Sequence, residues 1–285
     1  MRIPLIPTSL VPGRSLLPGG LACLLSAVLG ALLAHSALAV GPTSTLYLVN
    51  YGEFGPSTGL DLIQGLSESS FATGNSVDTC IAASGDIRTF GYSSPYSGTR
   101  FNLAGSPLSG GPYINNHGGQ LHDGTSDGLY NYTVDFTSGD VLQFDRNWAN
   151  EVTLFNITNG TAGWITMNPN DGSFWVSQFG GPDLVEHRSH TGTLLGSFNS
   201  GVFGSQGLAL DPVDGTLWMS DYNYILYQFS QSGTPLQSVP YAVTGGGWYG
   251  MEFDLEPVPE PASLTLLGAG LACLLWRRRP RADAP

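Results

Sequence analysis

Between residues 40 and 257 the apolar and polar positions alternate in short runs, and Asp-Gly, Ser-Gly and Asn-Gly pairs separate the runs. Period-two alternation marks strands, and those dipeptides form turns, so the pattern predicts an all-β body with no long helix. The runs also repeat. One unit reads Gly163, the apolar run Trp164-Ile165-Thr166-Met167, the turn Asn168-Pro169-Asn170-Asp171-Gly172, then Phe174-Trp175-Val176. The next reads Gly207, Leu208-Ala209-Leu210, Asp211-Pro212-Val213-Asp214-Gly215, then Leu217-Trp218-Met219. Trp175 and Trp218 are 43 residues apart. Each unit continues with a third strand, Asp183 to Arg188 or Ile225 to Phe229, and a fourth around Leu195 or Leu236. A looser earlier unit has its turn at Asp127-Gly128, its third strand at Val141 to Asp145 and its fourth at Val152 to Phe155. Four short strands in about 42 residues make a β-propeller blade.

The two ends of this body complement each other. Leu46 to Tyr51 reads as the second strand of a blade with no first strand before it, and Gly250 to Asp254 as a first strand with nothing after it. Paired, they close a ring and remove its exposed sheet edges. From Leu46 to Gly250 is 204 residues, nearly five periods. The expectation is therefore five four-stranded blades, with the second, about residues 81 to 122, degenerate. An extra short blade there would make six, and a sandwich with coincidental spacing is the competing fold. Over residues 163 to 254 the repeats resemble NHL-type and streptogramin-lyase-type propellers. That resemblance implies the fold and no particular activity; the histidine and metal arrangement of the lyases maps onto no residues here.

Outside the body both ends carry addressing features. Arg2 and Arg14 precede an apolar stretch from Leu21 to Leu33, and Ser36-Ala37-Leu38-Ala39 supplies the small-x-small pattern of signal peptidase. Ala37 and Ala39 thus mark cleavage of a signal helix over residues 1–39. A lipoprotein reading at Cys23 fails, because most of the apolar run follows that cysteine. At the other end, Pro259-Glu260-Pro261 precedes an uncharged run over 262–276 and the basic residues Arg277, Arg278, Arg279 and Arg281. As a helix that run spans about 22 Å, short of the ~30 Å hydrocarbon core, with arginine stems able to snorkel to the headgroups. The cationic end should stay cytoplasmic and act as the membrane stop.

This tripartite tail, residues 258–281, resembles the PEP-CTERM sorting signal of Gram-negative bacteria. The resemblance implies an exosortase as partner and cutting near Pro259-Glu260-Pro261. It implies a precursor anchored in the inner membrane by a transmembrane helix, and a product at the cell surface or in the exopolysaccharide matrix. A plain C-terminal anchor is the competing reading.

The body between these signals holds four arginines, no lysine and 20 of the 22 acidic residues, a formal charge of −16. Such a surface excludes nucleic acid as a partner. Cys80 is the body's only cysteine, so it has no internal disulfide partner.

Candidate chemistry concentrates in Asn115 to Asp127. There His117, His122 and Asp123 could form an acid–base set, and His117, His122 and Asp127 could ligate a divalent metal with His187 or His190 from another blade. The turns at 168–172 and 211–215 have the carboxylates and bends of calcium loops, although turn chemistry explains them equally. Trp148 and Trp248 fall outside the repeated tryptophan position and are the candidates for an exposed ligand platform. No phosphate-binding loop occurs. Two functions therefore stay open. One is a non-enzymatic propeller that binds exopolysaccharide or an envelope protein, or serves structure. The other is a metal-dependent lyase or hydrolase acting outside the cytoplasm, with calcium or another divalent metal as cofactor.

Overall fold

The computed structural model describes residues 40–157, 161–179, 184–242 and 246–256, and every regular element among them is a β-strand. The features placed at Ala37, Ala39, Pro259, Glu260, Pro261 and Arg277 to Arg279, with both terminal helices, lie outside these residues. The strands form five blades. The first comprises β1 (Leu46–Phe54), β2 (Ser57–Gln64) and β3 (Ser67–Ala72). The second holds β4 (Asp78–Ala83), β5 (Ile87–Gly91), β6 (Ser97–Gly98), β7 (Arg100–Phe101) and β8 (Tyr113–Ile114). The third is β9 (Leu121–Ser126), β10 (Tyr130–Asp135), β11 (Asp140–Asp145) and β12 (Val152–Asn156). The fourth is β13 (Thr161–Met167), β14 (Phe174–Phe179), β15 (Leu184–Arg188) and β16 (Leu194–Asn199). The fifth is β17 (Ser205–Leu210), β18 (Leu217–Asp221), β19 (Ile225–Phe229) and β20 (Pro235–Pro240).

The last strand, β21 (Gly247–Phe253), returns to the first blade, giving the order β21-β1-β2-β3. It pairs antiparallel with β1, Phe253 opposite Leu46 and Met251 opposite Leu48. The ring thus closes by hydrogen bonding between the two ends of the body, as the split blade in the sequence predicts.

Position in a blade sets burial. The innermost strands β4, β9 and β17 are buried along their whole length, whereas the outermost, β3, β12, β16 and β20, are mostly exposed. Between neighbouring blades lie apolar seams. The largest joins blades four and five through Trp164, Trp175, Leu208, Leu217 and Phe229. Trp175 serves this packing, and both repeated tryptophans are buried, Trp175 and Trp218 only 3% and 1% exposed. Each such side chain contributes about 1.5–3 kcal/mol by leaving water.

The second blade is the irregular one, and it runs from Asp78 to Ile114, earlier than the 81–122 span read from the sequence. Its sheet is β4-β5-β7, with β6 and β8 paired separately. The cause is local. A β-carbon on Gly98 would stand 2.0 Å from the Thr89 carbonyl oxygen, so backbone crosses backbone where an ordinary third strand would lie. Prolines at 107 and 112 and glycines at 105, 110 and 111 then interrupt any regular ladder. Charge repairs what pairing lacks. Arg88 (β5), Arg100 (β7) and Arg146 (after β11) all bind the Asp86 carboxylate, which ties the second blade to the third. Three of the body's four arginines are consumed there.

Candidate functional site: an axial cup over a closed floor

The five inner strands run in the same sense around the axis, and four of them meet at Asp123. This residue, at φ 53, lies in a region Asp tolerates because its short side chain can bond locally. Its Oδ1 accepts the amides of Gly124 (2.9 Å) and Met251 (2.9 Å). Its Oδ2 accepts those of Ile165 (3.1 Å) and Leu208 (3.1 Å). One carboxylate on β9 thereby holds β13, β17 and β21. A second layer lies beneath. The Thr166 hydroxyl donates to Glu252 (3.0 Å) and accepts the Leu210 amide, and the Met167 amide donates to Thr125 Oγ1. Burial pushes both Asp123 and Glu252 well above the usual carboxylate range, against the hydrogen bonds that pull them down. These two wholly buried layers close the axis.

Above that floor is a cup. Thr79, His122 and Tyr249 stand near the starts of β4, β9 and β21. With Tyr51, Val77, Tyr92, Ser93 and Tyr96 they line a cavity of about 410 Å³. His122 is the most buried ring in its lining, 7% exposed. Its ring stacks on Phe136 at 4.7 Å and lies 5.2 Å from Trp164 and 5.4 Å from Tyr92. Neither ring nitrogen has a hydrogen-bond partner. Burial lowers its pKa to about 4, with Asp135 a weaker opposing influence, so at neutral pH the imidazole presents one donor and one acceptor. Leaving a buried polar group unmatched costs about 1–3 kcal/mol. Burial also raises the Tyr92 and Tyr249 phenols, so the lining carries no charge.

His117 sits elsewhere. Its Nδ1 is 3.0 Å from Glu151 Oε1 and its Nε2 is 3.1 Å from Asp135 Oδ2, so both nitrogens are held by carboxylates. The side chain lines a separate groove of about 640 Å³ with Phe90, Tyr113, Phe144, Trp148 and Glu151. Burial would raise Asp135, but the Thr137 amide, His117, Ser138 and the Gln120 amide bring it below its ordinary value.

The residues read as one acid–base set thus divide between groove (His117), cup (His122) and floor (Asp123). Nor does Asp127 join the histidines. It follows β9 at the end opposite His122, about 16 Å along an extended strand. There it accepts the Leu129 and Tyr130 amides and the Tyr132 hydroxyl. His187 stacks on Trp175 at 4.2 Å and contacts Ser173 Oγ at 2.7 Å, and His190 stacks on Phe174. Among the described residues no group of three or more His, Cys, Asp or Glu is arranged to hold a metal ion.

The two acidic turns hold themselves: Asp171 Oδ1 accepts the Ser173 amide and Asp211 Oδ1 the Val213 amide. Trp148 and Trp248 are buried, 3% and 1% exposed, and so present no open platform. Trp148 is stacked on Phe90 at 4.7 Å, and Trp248 donates to Asp61 Oδ2 at 2.8 Å. Cys80 is wholly buried 3.4 Å from Thr133 Oγ1, its thiol pushed up to about 12 by burial.

Sequence reasoning missed the tyrosines of the cup. Tyr51, Tyr92, Tyr96 and Tyr249 come from only two blades, the first and the second, at no common spacing. The available signal was a ring-bearing residue early in three of the inner strands, His122 on β9, Trp164 on β13 and Tyr249 on β21, the first two 42 residues apart.

The described chain ends beside the ring's other face. The Leu255 amide donates to the carbonyl of Ala83, at the end of β4, so the chain leaves the ring opposite the cup. Residues 257–279, directly after it, match the family model of the PEP-CTERM protein-sorting motif. The chain carries a PEP-CTERM sorting signal. That signal indicates exosortase-dependent export, with exosortase as processing partner and the envelope as the place of sorting. No curated protein matches the chain. Among solved structures, a chain of a nidogen/laminin complex aligns at TM-score 0.52 and 12% identity, over 73% of this chain and 97% of that one. A protein of unknown function from Bacteroides thetaiotaomicron aligns at TM-score 0.53 and 13% identity, over 74% of this chain and 62% of that one. At such identities the likeness concerns the fold alone. It places the PEP-CTERM signal on a β-propeller.

Proposed function

We propose that this protein is a non-enzymatic surface or matrix component that binds a glycan in its axial cup. Signal peptidase removes residues 1–39 and exosortase acts on the tail at the inner membrane of a Gram-negative cell. The propeller then resides at the cell surface or in the exopolysaccharide matrix. The carrying observation is His122, buried beneath four tyrosines with neither nitrogen partnered. Aromatic walls with a few convergent polar groups form the usual small-molecule site, and here nothing charged lines it within a body of charge −16. The closed floor makes the cup a receptacle, and the described chain ends on the opposite face of the ring. The test is a glycan array probed with the full chain in detergent, with the producer's own exopolysaccharide included. Saturable binding to a polysaccharide fragment supports the reading; uniform blanks remove it.

A metal-dependent lyase or hydrolase draws on His117, bracketed by Asp135 and Glu151. Both ring nitrogens are engaged there, which leaves no lone pair for a metal without breaking an existing contact. Depolymerisation of the polysaccharide that stops on adding chelator would establish this second reading.

A further inference from the structure

We infer that the cup takes one uncharged sugar residue at the end of a chain, entering end-on, with His122 as the paired donor and acceptor for its hydroxyls. This rests on the glycan reading above and goes beyond it in naming which part of a glycan is recognised. Three observations carry it. The cup's volume, about 410 Å³, lies near the lower end of the roughly 300–1,000 Å³ of small-molecule sites. Below His122 the axis is shut by Asp123 and its four backbone donors, so a polymer cannot thread through. And the lining of four tyrosines, a threonine, a serine, a valine and a histidine contains no arginine or lysine to meet a carboxylate. The body's charge of −16 opposes an acidic sugar further.

The chemistry of His122 fits this occupant. A sugar hydroxyl both donates and accepts, and a neutral imidazole offers one nitrogen for each role. The tyrosine rings provide flat apolar faces for the C–H side of a pyranose. A buried site built on hydrogen bonds rejects analogues that lack the matching hydroxyl, because its polar groups are then left unpaired. Tyr51 and Tyr96, 46% and 38% exposed, form the rim past which the rest of the chain would leave.

The experiment is competition, by the full chain in detergent, between oligosaccharides of the producer's polysaccharide and methyl glycosides of glucose, galactose, mannose and glucuronic acid. One neutral glycoside is expected to compete and the glucuronide to fail. Trimming the terminal residue with an exoglycosidase should abolish binding. His122→Ala should weaken affinity about tenfold or more, in line with the loss of one or two hydrogen bonds, and His122→Gln should recover part of it. Affinity should stay level from pH 5.5 to 8. Competition by the glucuronide, equal binding of end-blocked polymer, or full affinity in His122→Ala would overturn the inference while leaving glycan binding in place. No binding to any glycan would remove the underlying reading as well. Should His122→Ala fail to fold, Tyr96→Ala at the exposed rim gives the same decision, and unchanged affinity there would also overturn it.

Discussion

The Asp123 carboxylate accepts the Met251 amide at 2.9 Å, joining the third blade to the strand that closes the first. The same side chain holds Ile165 and Leu208 of blades four and five. Four blades therefore depend on one side chain at the axis. Asp123→Asn would turn an amide donor toward backbone donors. We predict a loss of about 2–6 kcal/mol, because the two backbone amides facing the new NH2 lose their acceptor at about 1–3 kcal/mol each. Urea unfolding of wild type and variant measures it, and a change below about 0.5 kcal/mol would contradict the axial role.

Gly250 tests ring closure from the other side of that contact. Its φ is +75, and an added β-carbon would stand 2.4 Å from the Thr79 carbonyl oxygen and 3.1 Å from the Asp123 Cα. The positive φ alone costs roughly 1–2 kcal/mol for a residue with a side chain, and the backbone clash adds to it. Gly250→Ala should lower the unfolding midpoint more than an alanine at Gly196, where nothing stands within 4 Å. Equal effects at the two sites would contradict the close approach at the axis.

The blade count, split-blade closure and repeated tryptophan packing were legible in the sequence because all three are periodic. The cup was not. Tyr51 sits late on β1, Tyr92 and Tyr96 lie beyond β5 in the irregular second blade, and only the fold brings them to His122. The dense polar stretch from Asn115 to Asp127 misled for a related reason. Along β9 successive side chains face different surroundings, so His122 reaches the cup and Asp123 the floor, while His117 precedes the strand and lines the groove. Trp148 and Trp248 fell outside the tryptophan repeat yet are buried all the same, through the Phe90 stack and the Asp61 hydrogen bond.

Acid has a signed effect on stability. Glu53 and Glu68 are each pushed up to about 7, by burial first and by Asp61 second, from an ordinary value of 4.5. Between those values the folded protein keeps protons that the unfolded chain has released, so these groups lower stability as pH rises through that window. His122 acts oppositely. With its pKa near 4 in the folded state against 6.5, the unfolded chain protonates first, and stability falls as pH drops from 6.5 towards 4. Glu68→Gln should therefore flatten the decline in urea midpoint between about pH 5 and 7.5 relative to wild type. An unchanged slope would show that burial does not hold Glu68 protonated.

The acidic turns bond their own backbones, so chelation should not loosen them. Adding a divalent-metal chelator is predicted to shift the thermal midpoint by no more than about 1 °C, since only a ligand bound to the folded state can stabilise it by mass action. A fall of several degrees would point to a bound metal and favour the lyase or hydrolase reading.

Replacement of Pro259, Glu260 and Pro261 by alanine should leave the tail uncut. Intact-mass analysis of the wild type should show a product truncated near the motif, and of the variant a chain still bearing its C-terminal arginines. Identical truncation in both would mean that the motif does not direct cutting.

The most direct measurement of the central claim is titration calorimetry of the full chain with oligosaccharides from the producer's own polysaccharide, run beside Tyr92→Ala. Tyr92 touches His122 inside the cup and lies away from the axial floor. The structure predicts one saturable site in the wild type and at least a tenfold weaker one in the variant, with both proteins sharing one unfolding midpoint. Saturable binding that Tyr92→Ala leaves unchanged would place the ligand elsewhere and contradict the assignment of the cup.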